Sequence, residues 1–196
     1  MAYRRTGIKT SSRILLGLPL VLLAAGSAFV ASGAYDVGAD APHARPFSWL
    51  LQQARDRAIA VRSTHLTPPP LDDPQLILKG AGQYAAMCVS CHLAPGQQNS
   101  ELRRGLYPQP PALAEQASDP RRAFWIIKHG IKMSAMPAWG ASHDDATIWS
   151  IVAFLQVLPS LSPAQYQDIV RRAPPDDDMD MPMDGPPLPH GHDHGH

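Results

Sequence analysis

From Ile14 to Ala34 the chain runs without a charged residue, behind a flank that carries Arg4, Arg5, Lys9 and Arg13. A signal-peptide core is usually about 7–15 residues and a hydrocarbon span about 20, so the length predicts a retained helix. Ser32 and Ala34 leave cleavage open. On either reading the basic flank, residues 1–13, stays cytoplasmic and the rest is sent outward. The expectation is a single-pass anchor over 14–35, in contact with lipid in the cytoplasmic membrane, with everything downstream on the periplasmic side.

The next pattern is amphipathic. Phe47, Leu50, Leu51, Ala54, Ala58 and Val61 recur near helical spacing, with Arg55, Arg57 and Arg62 on other faces. This helix either packs on the domain as a spacer or lies in the lipid interface. Pro68-Pro69-Pro70 then marks a linker, so residues 36–73 read as helix and linker together.

Asp73-Pro74 offers an N-cap and a first-turn proline to a helix running through Leu76, Ile77, Gly80 and Tyr84 into Cys88. Ser118-Asp119-Pro120 opens a second short helix with Phe124, Ile127 and Lys128, closed by Gly130. Ser142 with Asp145 resembles a capping box, and the stripe Ile148, Ile151, Val152, Leu155 predicts a helix that stops at Pro159. Ser162-Pro163 starts one more. No βαβ pattern and no repeat interrupts this all-α reading, and residues 74–173 form the one globular domain.

Composition narrows the chemistry. Lysine plus arginine equals aspartate plus glutamate at 17 each, so no overall field selects nucleic acid as a partner. Only 7% of residues are aromatic, and a small domain with so few large side chains is expected to fill its core with a cofactor. The chain has two cysteines, too few for a four-thiolate zinc site and too closely spaced to tie distant segments together.

Those two stand in Cys88-Val89-Ser90-Cys91-His92, the c-type haem attachment pattern. One helical turn separates the thiols, so both reach the porphyrin edge, and the adjacent histidine is held under the iron by the same short segment. Three rivals remain: a thioredoxin-like redox pair, which needs a βαβ context; zinc, with help from His65, His129 or His143; and an inert pair or disulfide. A pure electron carrier also needs a second axial ligand, because an open iron position invites other chemistry. A soft thioether suits that role, and Met133 and Met136 are the candidates.

The segments Gly80-x-x-x-Tyr84-x-x-x-Cys88-x-x-Cys91-His92, Pro111-Ala112-Leu113, Met136-Pro137-Ala138-Trp139 and Trp149-x-x-Val152-Ala153-Phe154-Leu155 stand in the order seen in class I cytochromes c. Over roughly residues 74–160 the chain resembles haem domains related to cytochrome subunits of cbb-type oxidases. The resemblance implies a fold of about four or five short helices around one covalently attached haem c. It further implies His92 and Met136 as axial ligands, with Met133 the alternative. A Pro111 carbonyl would accept the outer proton of His92, with Pro110 the runner-up, and Leu113 and Trp139 would pack on the haem. Gly80 and Tyr84 mark the crossing of the first and last helices, where Trp149, Phe154 and Leu155 meet them. Leu93 departs from the pattern, standing where many relatives have glycine. The function implied is single-electron transfer between redox proteins, by a carrier or by a subunit of a larger oxidase or dehydrogenase complex, and not an enzymatic reaction of its own.

Residues 174–196 are acidic, proline-rich and without aromatics, which predicts disorder. Met179, Met181 and Met183 suit Cu(I), and His190, His192, His194 and His196 suit Cu(II), Ni(II) or Zn(II), which leaves copper handling as an alternative use of the tail.

Overall fold

The computed structural model describes residues 8–175, with side chains from residue 17 onward. The histidine and methionine positions of the tail, and its expected disorder, lie outside the described residues. Two compact units divide between Pro42 and His43.

The first unit is built on α1 (Ile8–Ala31), which carries the charge-free run. Its large apolar side chains from Leu18 to Val30 are exposed. Among the described residues no helix is long and apolar enough to cross a membrane, so the single-pass anchor expected over 14–35 is not found among them.

Among its described residues the second unit's regular elements are all helices: α2 (Arg45–Ser63), α3 (Pro74–Met87), α4 (Val89–His92), α5 (Glu101–Arg104), α6 (Pro120–His129), α7 (Asp145–Val157) and α8 (Pro163–Arg172). Two 3₁₀ turns, Trp139–Ala141 and Leu158–Ser160, flank α7. The helix starts follow their side-chain caps. Asp73 accepts from Gln75 N at 2.9 Å, Asp119 from Arg122 N at 2.9 Å, and Ser162 forms a capping box with Gln165. At α7 the cap differs from the expected one. Asp144, not Ser142, accepts the Thr147 N–H, at 2.7 Å, while the Ser142 hydroxyl turns to His143 Nδ1. Asp144 holds the position because its carboxylate has one more atom of reach and complements the helix N-terminus with charge.

α7 is buried on nearly every face from Thr147 to Leu155, as a helix does at the centre of a core. α3 and α6 pack on it, α8 packs on α3, and α2 on α6. The α3–α7 crossing is close at Gly80, where an added Cβ would overlap the Ser150 carbonyl and lie 2.9 Å from Phe154 Cβ. One turn on, Tyr84 is fully buried with its ring 5.5 Å from Phe154. Trp149 departs from expectation. It stacks on Phe124 at 4.1 Å, on the α6 side of α7, because α7 buries both faces and residues 149 and 154 point different ways round it.

The Asp144 carboxyl is held below the usual carboxylate range by the Thr147 backbone and side-chain hydrogen bonds, with Lys79 and His143 adding to them. Its stabilising contribution is therefore complete above about pH 4 and fades as acid protonates it. Asp144→Ala is expected to cost about 1 kcal/mol at neutral pH. The gap to wild type should narrow below about pH 4, which urea unfolding at the two conditions reads directly.

Candidate functional site

The cysteine pair sits where α3 gives way to α4. Cys88 N donates to Tyr84 O at 2.9 Å, continuing the α3 ladder, and Cys88 O then accepts from Cys91 N at 3.1 Å and His92 N at 2.8 Å. One turn thus carries both sulfurs and the imidazole. The thiols are unbridged, and burial, with Cys91 adjacent, pushes Cys88 up to about 12. A thioredoxin-like pair needs a βαβ context, and the described residues form helices and no strand, so the redox-pair rival lacks its framework.

His92 Nδ1–H donates to the Pro111 carbonyl at 2.9 Å. A carbonyl only accepts, so the ring proton is on Nδ1 and Nε2 keeps its lone pair. Burial pushes the imidazole below its usual range, opposed by the Pro111 bond and reinforced by the Arg103 guanidinium. A neutral imidazole with a free Nε2 is the form that binds iron. Pro110 is otherwise engaged: its carbonyl accepts from Arg103 Nε at 3.0 Å. Arg103 thereby orients the Pro110–Pro111 segment, a role with no motif to announce it in the sequence.

The histidine is also held through its main chain. His92 O accepts from Leu113 N at 3.2 Å, and the Tyr84 hydroxyl donates to Leu93 O at 2.6 Å. Leu93 has φ 67° and ψ 152°, a conformation almost confined to glycine and costing about 1–3 kcal/mol. Its side chain is 1% exposed, so apolar burial offsets the strain that glycine would avoid.

The methionine segment is shaped by Gly130, the C-cap of α6 at φ 64°. A Cβ there would lie 2.7 Å from Met136 O, 2.8 Å from Pro137 C and 2.9 Å from Ala138 N, so residues 136–138 run directly across the glycine. Ile131 N donates to Met136 O at 3.2 Å, and Met136 N to Ser134 Oγ at 3.2 Å, closing a small loop. Met133 is at the loop's tip, 99% exposed. Met136 is half-buried against the core cluster that contains Cys88, as are Leu113 and Trp139.

Cys88, Leu113, Met136 and Trp139 therefore border one apolar cluster, and His92 is tied to Pro111 at its edge. Among the described residues no group of three or more histidine, cysteine or acidic side chains converges, so the zinc rival has no ligand set there. His129 lies tilted against Trp125, and His143 meets Trp139 and Ser142. The donors fit a haem: two unbridged thiols on one turn, a neutral histidine with its outer proton bound, and a thioether from a separate loop.

Residues 75–155 match the family described as cytochrome c oxidase, cbb3-type, subunit III. The match runs from the start of α3 into the last turns of α7 and contains every residue of the Cys, His, Pro and Met set. No curated protein and no solved structure matches the chain significantly.

Proposed function

Taking residues 75–155 as a c-type cytochrome domain similar to the cytochrome subunits of cbb3-type oxidases, we propose that the chain carries single electrons between redox proteins with one haem c. Cys88 and Cys91 would hold it through thioether bonds, and His92 Nε2 and Met136 would be its axial ligands. Bound there, the haem supplies an Fe(II)/Fe(III) couple whose potential a His/Met pair raises. Pro111 keeps the imidazole in the ligating tautomer and increases its basicity. Leu113 and Trp139 exclude water from the apolar side. With both axial positions filled by side chains, the domain is a carrier and no substrate site is required of it.

The observation that carries this reading is the His92–Pro111 hydrogen bond, directly downstream of two unbridged thiols on the same turn. Visible spectra of the oxidised and reduced full chain test it, alongside Met136→Ala and a haem stain of the denatured protein. Haem should stay with the denatured chain in both proteins, and a weak sulfur-to-iron band in the red should disappear in the variant. A band that survives would transfer the ligand role to Met133; a denatured chain without haem would overturn the reading.

The family match favours one second reading, in which the domain works only inside a larger oxidase or dehydrogenase complex. Copurification of partner subunits after mild detergent extraction separates it from a freestanding carrier. We place the haem domain on the periplasmic face of the cytoplasmic membrane, tethered by α1. The supports are the charge-free run from Ile14 to Ala34, its basic flank, and the exposed apolar side chains of α1.

A further inference from the structure

Most of the apolar stripe of α2 faces away from the domain: Ala58 is half-buried and Phe47 meets the His43 ring, but the other four members are exposed. α2 buries Ile59 and Ser63, whereas Leu50 is 56% exposed, Val61 47% and Leu51 44%, with Ala54 exposed between them. At 3.6 residues per turn the stripe is centred about 150° round the helix from the buried pair. Arg57 and Arg62 fall on its two borders, each roughly 20° beyond Leu50 or Leu51. The helix carries four arginines against one aspartate, Asp56, which is paired to Arg55 at 2.9 Å. An apolar strip edged by arginines and carrying net positive charge is complementary to an anionic lipid surface, where the heads reach phosphate while the stems cover hydrocarbon.

The chain's own connectivity leaves that surface within reach. Residues 32–44 join α1 to α2 and span at most about 45 Å when fully extended. That linker permits α2 to return to the surface of a bilayer anchored through α1. We infer that α2 lies in the membrane interface, its Leu50, Leu51, Ala54 and Val61 face immersed at the headgroup–acyl boundary of an anionic bilayer. The inference rests on the membrane tether proposed above and extends it, because α2 packs on α6 and would fix the orientation of the haem domain to the membrane.

The test uses the full chain reconstituted in vesicles of phosphatidylglycerol and phosphatidylcholine, with single cysteines carrying nitroxide labels at positions 50, 51, 54 and 61 and, for comparison, at Gln52 and Gln53. The parent chain without an added cysteine is labelled in parallel, so incomplete haem attachment at Cys88 and Cys91 is seen separately. Collision with oxygen should exceed collision with a water-soluble nickel chelate at the four stripe positions and reverse at the two glutamines. Leu51→Glu with Val61→Glu should reduce the oxygen preference at position 54 to the level found at Gln53, without altering the haem spectrum. Equal nickel access at all six positions would overturn the inference. Stripe labels immobilised and shielded from both reagents would overturn it in favour of a protein partner. Extraction by alkaline carbonate reads the α1 tether independently: a chain that is stripped, but whose labels keep the periodic pattern in neutral buffer, loses the anchor and retains the interfacial helix.

Discussion

Gly80→Ala is expected to lower the stability of the haem domain by about 3 kcal/mol, at the upper end of overpacking effects, and Gly80→Val to leave little folded protein. The added Cβ would overlap the Ser150 carbonyl oxygen and crowd Phe154 Cβ, so the obstruction is backbone and cannot rotate aside. α3 and α7 would have to separate where Tyr84, Ile151 and Phe154 are fully or almost fully buried, opening the packing around the crossing. The better helix propensity of alanine returns at most about 1 kcal/mol. Gly105→Ala is the matched comparison, since the nearest atom to its Cβ would be Leu102 O at 3.7 Å and its φ is −87°. It should change stability by less than about 1 kcal/mol, towards greater stability if at all. Urea unfolding of both variants decides the matter, and equal midpoints would contradict the close crossing.

The second large effect belongs to Gly130→Ala. Here two costs add: φ 64° disfavours any Cβ, and that Cβ would fall within 2.9 Å of three backbone atoms of residues 136–138. A loss of about 2–4 kcal/mol follows, from strain together with overpacking. The more informative readout is spectroscopic. Displacing the Met136 backbone should weaken or abolish the sulfur-to-iron band while haem remains attached to the denatured chain, because the Cys88–His92 turn is on the other side of the sequence from the disturbance. Gly140→Ala should do less, since the first atom its Cβ meets is Lys128 Cγ, on a flexible side chain, although Lys128 O stands close behind at 2.9 Å. A Gly130→Ala protein with the wild-type band at full strength would break the link between this glycine and the ligand loop.

Local signals in the sequence carried most of the helix starts. Asp73-Pro74, Asp119-Pro120 and Ser162-Pro163 cap the helices they were expected to cap, because a cap is a contact between residues two or three apart. The Cys88–His92 turn and its Pro111 acceptor were legible for a related reason, motif and resemblance together. Where partners are remote the sequence was weaker. Arg103 on Pro110, and Gly130 beneath Met136–Ala138, join segments that no periodicity connects. The stripe on α2 shows a further limit. Its spacing identified a face but not what covers it, and the domain instead took the Ile59 side. Trp149 is the same lesson within the core, since a helix buried all round presents more than one inner face.

The restraints on His92 are, on the receiving side, all main-chain atoms: Pro111 O for the ring, and His92 O and Leu93 O for the turn. A backbone carbonyl is the same acceptor whatever side chain its residue bears. The loop from Ala94 to Pro110 is thus free to exchange its outward side chains while the ring keeps its tautomer and tilt, provided the turn geometry, the Arg103 tie and the Ser100 hydroxyl's bond to Ser90 O survive. Such a loop can be rewritten, by evolution or by design, without altering how the imidazole is held.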